Sequence, residues 1–127
     1  MSDTMQVGTK LVELCRAGKF REAIDTLYAP NIVSIEPMSM PGMPARMEGI
    51  EAVRKKNIDF LAAHDIHKTE VMGPFPNGDR FIVHYKLDVT AKAGPMAGKR
   101  MPIEEAALYT VKDGKIIKDE FFSVGEG

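Results

Sequence analysis

Hydrophobic residues near the start of the chain recur with the period of an α-helix. Val7, Leu11, Leu14 and Cys15 are spaced i, i+4, i+7 and i+8, which predicts one buried face of a helix over about residues 4–17. Gly18 follows as a helix stop. The same spacing returns in a shorter segment, which predicts a second helix. Its apolar residues are Phe20, Ala23, Ile24 and Leu27.

A third helix is predicted after an irregular segment rich in methionine, proline and glycine. Its stripe is Ile50, Val53, Asn57, Phe60 or Leu61, and His64. The basic run Arg54–Lys56 lies within this helix and is expected on its solvated face. The stripe is not purely apolar, because the amide side chain of Asn57 lies at its centre.

From Asp65 onward the apolar period becomes two, which indicates β-strands. The predicted strands are Ile32–Glu36, about Ile66–Met72, Phe81–Thr90, about Met101–Lys112 and Ile116–Val124. The segment Gly73–Gly78 is expected to end the second of these strands. Asp113-Gly114 predicts a two-residue hairpin between the last two. Helices followed by antiparallel strands predict an α+β fold with the helices on one face of a sheet.

Composition and charge narrow the class of protein. The chain has 127 residues, which predicts one domain over 1–127. A formal net charge of −1 argues against a nucleic-acid or membrane partner. The lone Cys15, with no apolar leader, predicts a cytoplasmic protein. Neither a metal-ligand cluster nor a cofactor-binding motif is present, so we predict no metal and no cofactor.

Glu36 is the first candidate for chemistry. It ends an apolar strand and is followed by Pro37, which fixes an extended backbone and stops the strand. A carboxylate at the end of a buried strand is costly unless it is paired or used. Burial would raise its pKa toward the range useful for proton transfer. The alternative is a strand-end ion pair with Arg46 or Arg54.

Two segments of the sequence resemble the NTF2-like superfamily, in particular its SnoaL-like and ketosteroid-isomerase-like branch. They are the run Leu27–Pro37 and the later run Gly49–Arg54, which opens the third helix. The resemblance implies a cone-shaped half-barrel, with three N-terminal helices packed on a curved, mostly antiparallel sheet and a ligand in the open end. It also implies a homodimer formed through the outer sheet face, which would carry Ile82, His84 and Lys86.

The resemblance assigns Glu36 the position of a general base. Glu105 is the second candidate, because it shares a strand face with Ala107, Tyr109 and Val111 and could form a carboxylate pair with Glu36. Its alternative is an exposed acid near a strand start. A β-bulge would reverse the face and bring Glu104 and Asp119 inward instead.

The isomerase pattern is incomplete at its oxyanion hole. The helix-one tyrosine of that branch is replaced here by Leu11, and Ala107 is nearest to its second donor, an aspartic acid. Without that phenol a large electrostatic contribution to enolate stabilisation is missing. Ketosteroid isomerisation is therefore disfavoured. The resemblance still permits a cyclase, a hydrolase or a binding protein.

Other polar and aromatic residues are predicted to line the pocket, with plain core packing as the alternative for each. These pocket residues are Tyr28, Asn57, Phe60, His67, Tyr85 and Phe122. For His67 a satisfied structural histidine is the competing interpretation. His64 is expected to interact with a helix C-terminus, and His84 to lie at the surface.

The Met/Pro/Gly segment after Glu36 is predicted to be a lid over an apolar ligand. Its methionines are Met38, Met40, Met43 and Met47. A dimer-contact loop is the alternative.

Together these features predict a pocket for a small apolar molecule. The first hypothesis is an enzyme that uses carboxylates for proton transfer on a small apolar carbonyl or polyketide-like substrate. The second is a non-catalytic ligand-binding or accessory protein, and the third is a scaffold with a vestigial pocket.

Overall fold

The computed structural model describes residues 3–39 and 42–124, which form three helices and six strands. The predicted α+β architecture is confirmed. In chain order the elements are α1 (Asp3–Arg16), α2 (Phe20–Leu27), β1 (Tyr28–Ile35), β2 (Arg46–Glu48), α3 (Ile50–Ala63), β3 (His64–Asn77), β4 (Arg80–Ala91), β5 (Arg100–Lys112) and β6 (Lys115–Ser123).

The six strands form one open sheet in the order β2-β1-β6-β5-β4-β3. Only β1 and β6 pair in parallel, and the other neighbours are antiparallel. The helices cover one face, where the amphipathic stripe of α1 packs on the inward side chains of the central strands. The largest fully buried side chains on this face include Leu11, Phe81 and Tyr109. This burial stabilises the layer arrangement that the hydrophobic pattern predicts.

Asp113 and Gly114 form the two-residue turn predicted between the last strands. Both residues have positive φ angles, 53° and 75°, as a type I′ hairpin turn requires. The turn fixes how β6 pairs with β5, and β6 carries two of the side chains that line the cavity described below.

Two strand predictions are wrong in extent, and one strand was missed. The first strand begins at Tyr28 rather than Ile32, directly after α2, and its pairing with β6 is irregular between Tyr28 and Val33. The strand β3 continues to Asn77 through the segment expected to break it, because a register shift between Met72 and Phe75 absorbs the disruption. The short β2 lies within the segment expected to be irregular.

No helix in the described ranges is long and apolar enough to span a membrane.

The outer sheet face carries several exposed hydrophobic side chains that the helices do not cover. They are Met72, Phe75, Ile82 and Phe122. Beside them His84 Nε2 lies 2.7 Å from Glu104 Oε2, so this face also has a polar pair.

Candidate functional site

A cavity of about 400 Å³ lies between the three helices and the inner face of the sheet. Most of its wall is apolar, which suits a small organic molecule rather than a free ion. The apolar and aromatic lining includes Leu11, Phe20, Ile24, Val53, Phe60, Leu87, Ile103 and Phe121. The polar groups cover a smaller part of the wall, and most come from β1, α3, β5 and β6.

Glu36 lies at the cavity immediately after β1, where its backbone N–H donates to the Ala45 carbonyl oxygen at 2.7 Å. Its carboxylate accepts a hydrogen bond from Lys56 Nζ at 2.7 Å. The alternative partners Arg46 and Arg54 pair elsewhere, with Glu48 and Asp25 respectively. The negative charge of Glu36 is therefore balanced inside the cavity by a lysine on α3.

Lys56 was expected on the solvated face of its helix, and that prediction is wrong. Its side chain is only 17% exposed. Besides Glu36 it donates to Ser34 Oγ at 2.8 Å, and its ammonium lies 4.7 Å from the centre of the Phe121 ring. The i, i+3, i+4, i+7 spacing of Val53, Lys56, Asn57 and Phe60 would have identified it.

Glu105 lines the same cavity from β5, opposite Tyr85 of β4 in the strand register. Burial raises the pKa of its carboxyl group to about 7, and the nearby charge of Glu36 adds to the increase, while Lys56 opposes it. Near neutral pH this group is therefore about half protonated, so it can both donate and accept a proton. The predicted face assignment for β5 agrees with this position, since Glu104 points to the outer face and pairs with His84.

Asp119 is a third carboxyl group at the cavity, and it is 1% exposed. Its Oδ2 accepts a hydrogen bond from the Tyr28 hydroxyl at 3.1 Å, while Oδ1 has no hydrogen-bond partner among the described residues. Burial raises its pKa, and the positive charge of Lys56 counteracts part of the increase. The sequence suggested Asp119 only as an alternative to Glu105, yet both line the cavity.

The Tyr85 and Tyr109 hydroxyls are joined by a hydrogen bond of 2.6 Å, and the Cys15 thiol lies 3.9 Å from the Tyr85 oxygen. Burial raises the pKa of both phenols well above the ordinary value. It also raises the pKa of the Cys15 thiol to about 11, so this group stays protonated and is a poor nucleophile. The first helix contributes Leu11 at the cavity, so the phenols come from the strands instead.

Asn57 lies next to Lys56 on α3 and also lines the cavity. Its Oδ1 has no hydrogen-bond partner within the described part of the chain. Phe60, one turn further along, stacks on the His64 ring with 4.3 Å between ring centres. The inward face of α3 thus presents a cation, an amide and an aromatic ring to the cavity.

Of the residues predicted for the site, six line one cavity and two do not. Glu36, Glu105, Tyr28, Asn57, Phe60 and Tyr85 are brought together there. His67 is exposed, and its Nε2 lies 2.7 Å from Thr90 Oγ1. The β3–β4 register shifts between Ile66 and Lys68, so a bulge at His67 breaks the alternation that would have turned it inward.

Phe122 was also placed in the cavity wall, but it is exposed on the outer sheet face. Strict alternation counted from the buried Ile116 would turn Phe122 inward. The β5–β6 register shifts between Thr110 and Val111, which leaves one extra residue in β6. That shift turns Asp119 and Phe121 inward in place of Phe122.

The predicted lid segment divides into parts with different surroundings. Met43 lines the cavity, while Met38 is 62% exposed. Met47 is buried within β2. Met40 lies outside the described residues.

Among the described residues, no group of three or more histidine, cysteine, aspartate or glutamate side chains is arranged to hold a metal ion.

Comparison with known proteins agrees with this architecture. The family model of the SnoaL-like domain matches residues 2–123. A candidate SnoaL-like polyketide cyclase (carbohydrate phosphatase) from Mesorhizobium loti is 36% identical, with a TM-score of 0.86 over 96% of this chain and 99% of that one. Among the curated proteins, none is similar enough in sequence to count as a match.

Two more distant solved structures share the fold. An NTF2-like protein of unknown function from Burkholderia pseudomallei is 17% identical, with a TM-score of 0.76 over 97% of this chain and 92% of that one. A candidate isomerase from Bacillus subtilis is 16% identical, with a TM-score of 0.67 over 95% of this chain and 88% of that one. At these identities the likeness concerns the fold alone.

Proposed function

Because the chain belongs to the SnoaL-like domain family, we propose that it is an enzyme of the cyclase or isomerase type that acts on a small, largely apolar carbonyl compound. Glu36 is the base that removes a proton from the carbon next to the carbonyl group, and Glu105 is the acid. The observation that carries this proposal is the contrast between two carboxyl groups in one cavity. Glu36 is charge-balanced by Lys56, whereas burial raises the pKa of Glu105 to about 7.

The proposed reaction conserves protons within the cavity. The Glu36 carboxylate accepts the proton, and the electrons of the broken C–H bond form a carbon–carbon double bond. The carbonyl π electrons move to oxygen, which receives the proton of Glu105, so that an enol results. If a carbon–carbon double bond adjoins the deprotonated carbon, the enol is a conjugated dienol; Glu36 then returns its proton to the far carbon while the enol hydroxyl proton goes back to Glu105, which completes an isomerisation. Alternatively the enol carbon attacks a second carbonyl group of the same molecule and forms a ring, while the enol hydroxyl proton returns to Glu105 and the proton on Glu36 passes to the new alkoxide oxygen.

Exchange of carbon-bound hydrogen tests the first step without knowledge of the natural substrate. 2-Tetralone is a bicyclic ketone whose α-hydrogens exchange with D₂O through the enol. The loss of its α-hydrogen signals is followed by ¹H NMR near pH 7, with and without protein. Acceleration above the buffer rate supports the proposal. Binding without acceleration, for this ketone and for a set of small cyclic ketones and diketones, favours the non-catalytic ligand-binding alternative.

We also propose that the segment after Glu36 closes over the ligand through Met43. Replacing Met43 with serine is expected to weaken 2-tetralone binding by about 1–2 kcal/mol, because apolar surface against the ligand is lost. Met38→Ser is the matched control, since the Met38 side chain is mostly exposed. Affinity is measured by calorimetric titration. Equal affinities of the two variants, with a changed association state for Met43→Ser, would assign the segment to subunit contacts instead.

The proposed assembly is a homodimer formed through the outer sheet face. Ile82 is 42% exposed near the centre of this face, beside Leu108 and Phe75 in the strand register. Ile82→Glu is expected to produce monomers at tens of micromolar, roughly the range where a standard-size interface holds. Sedimentation velocity measures the change. Ile58→Glu, at an exposed position on α3, is the control and should remain dimeric. A wild-type monomer at this concentration contradicts the proposal.

The proposed ligand is a small apolar molecule, and the proposed location is the cytoplasm. The first rests on the mostly apolar wall of the cavity, while the polar side chains among its lining residues can orient the ligand. The second rests on the free, buried thiol of Cys15, which has no partner cysteine in this sequence.

A further inference from the structure

Lys56 differs from every other lysine of the described chain in that its ammonium lies at the cavity. The adjacent Lys55 points to solvent and pairs with Asp59 at 2.6 Å. The two side chains diverge because Lys55 lies on the outer side of α3, while Lys56 lies three residues after the buried Val53. A lysine held against an apolar wall requires compensating contacts, and Lys56 has them in Ser34 and Glu36.

These contacts leave one N–H of the ammonium without a hydrogen-bond acceptor among the described residues, although the ammonium also lies 4.7 Å from the centre of the Phe121 ring. A lysine carries three N–H donors. The described residues accept hydrogen bonds from Lys56 at two positions, Ser34 Oγ and Glu36 Oε2. The third donor has no hydrogen-bond acceptor among them and belongs to a group that lines the cavity.

We propose that Lys56 is a catalytic residue that donates this remaining N–H to a negatively charged oxygen of the ligand. The ligand class is then an apolar molecule with an acidic oxygen, such as the enolate of a ketone or a phenolate. The inference rests on the proposed function, since the carbonyl oxygen carries negative charge after Glu36 removes the carbon-bound proton and before Glu105 protonates that oxygen. It supplies the electrostatic stabilisation that the absent helix-one tyrosine would otherwise provide.

The phenols are weaker candidates for this role. The Tyr28 hydroxyl donates to Asp119, and one of the Tyr85 and Tyr109 hydroxyls donates to the other, so this bond uses one of their two hydrogens. Each of them is uncharged, whereas the ammonium carries a full charge in a site largely shielded from water. Hydrogen bonds from a charged donor are about twice as strong as neutral ones. The ammonium is also adjacent to Glu36, so the proton acceptor and the anion-binding group address the same part of the ligand.

An anion at Lys56 would experience the other charges of the cavity. The titratable and charged groups that line it with Lys56 are Cys15, Tyr28, Glu36, Asp59, His64, Tyr85, Glu105, Tyr109 and Asp119. The carboxyl groups oppose an anion when they are ionised. The pKa of Glu105 is raised to about 7, so its opposition lessens near and below neutral pH. Burial also raises the pKa of Asp119 above its ordinary value. Binding of an anion should therefore weaken as the pH rises above about 7.

2-Naphthol is a suitable probe, because it is a bicyclic weak acid whose neutral and ionised forms differ in absorption and fluorescence. With wild-type protein we expect the apparent pKa of bound naphthol to lie below that of free naphthol. Lys56→Met should abolish this shift and weaken binding of the anionic form by about 10- to 100-fold, the loss expected for a hydrogen bond to a charged group. Lys56→Arg keeps the charge and should restore most of the affinity. Lys55→Met is the matched control and should behave as wild type.

Two results would overturn the inference. One is an unchanged naphthol affinity and ionisation in Lys56→Met, and the other is a wild-type protein that does not bind naphthol. Circular dichroism and thermal unfolding check that Lys56→Met is folded, and the arginine variant provides a second folded test. Failure of the proton-transfer proposal gives a different pattern, in which 2-tetralone exchange is absent while Lys56-dependent naphthol binding remains. Glu36→Gln should retain naphthol binding, since it removes a negative charge near the ligand oxygen.

Discussion

Glu36→Gln is expected to slow exchange of the 2-tetralone α-hydrogens by about 100- to 10,000-fold relative to wild type, the usual contribution of a positioned general base. Glutamine has nearly the same shape and can still accept the hydrogen bond from Lys56, but it cannot take up the proton. The fold should be retained, because the replaced oxygen lies at the cavity and not in the packed core. The free energy of unfolding should fall, since the mostly buried Lys56 loses its charge partner.

The matched control for this variant is Glu104→Gln. Glu104 precedes Glu105 on β5, but its side chain lies on the outer sheet face and pairs with His84. The same chemical change there should leave the exchange rate within about twofold of wild type, since the cavity is untouched. If Glu36→Gln retained the wild-type rate while wild type accelerated exchange, another group would have to be the base, and Asp119 would be the first to test.

Glu105→Gln is expected to stabilise the protein above neutral pH. The pKa of this carboxyl group rises from an ordinary 4.5 to about 7 in the folded chain. Between these values the folded state binds more protons than the unfolded state, so the free energy of unfolding falls as the pH rises and levels off above about 7. The full loss is about 3 kcal/mol at 1.36 kcal/mol per pKa unit. Glutamine does not titrate and should lack this loss.

Urea unfolding at pH 5 and at pH 8 measures the effect in wild type, Glu105→Gln and Glu104→Gln. The drop in unfolding free energy between the two pH values should be smaller by about 2–3 kcal/mol in Glu105→Gln, since most of the titration lies in this interval. Burial also raises the pKa of Asp119, and all three proteins keep this residue. A drop as large in Glu105→Gln as in wild type would show that Glu105 titrates normally in the folded chain.

The elements were predictable where the local pattern and the tertiary structure agree. The helix α1 has a continuous apolar stripe, and the Asp113-Gly114 turn has residues that tolerate positive φ angles. The position of Glu36 at the cavity was predictable from Pro37, the next residue. This proline ends the strand, and that end of the strand lies at the cavity. The strand β2 escaped prediction because only three residues pair there, too few to show a period.

Three side chains of the candidate site were predicted in the wrong place, two on strands and one on a helix. The physical cause differs between the strands and the helix. Bulges in β3 and β6 shift the alternation by one residue, which displaces His67 and Phe122 from the positions that a period of two predicts. Such shifts depend on pairing with a neighbouring strand and leave no mark in the local sequence. Lys56 was misplaced because a basic run within a helix is normally solvated, and its acidic and hydroxyl partners are distant in sequence.

The low burial of helix α3 affects how the sequence of this protein could diverge during evolution. Only Val53 of its fourteen residues is fully buried, whereas α1 buries seven of its own. Exchanging residues of α3 such as Lys56 or Asn57 should therefore disturb the hydrophobic core less than exchanges on α1, where cavity formation costs about 2–5 kcal/mol per large side chain. Evolution could alter the polar groups that this helix presents to the cavity while the sheet and α1 preserve the fold. A change of substrate would then require few compensating substitutions elsewhere.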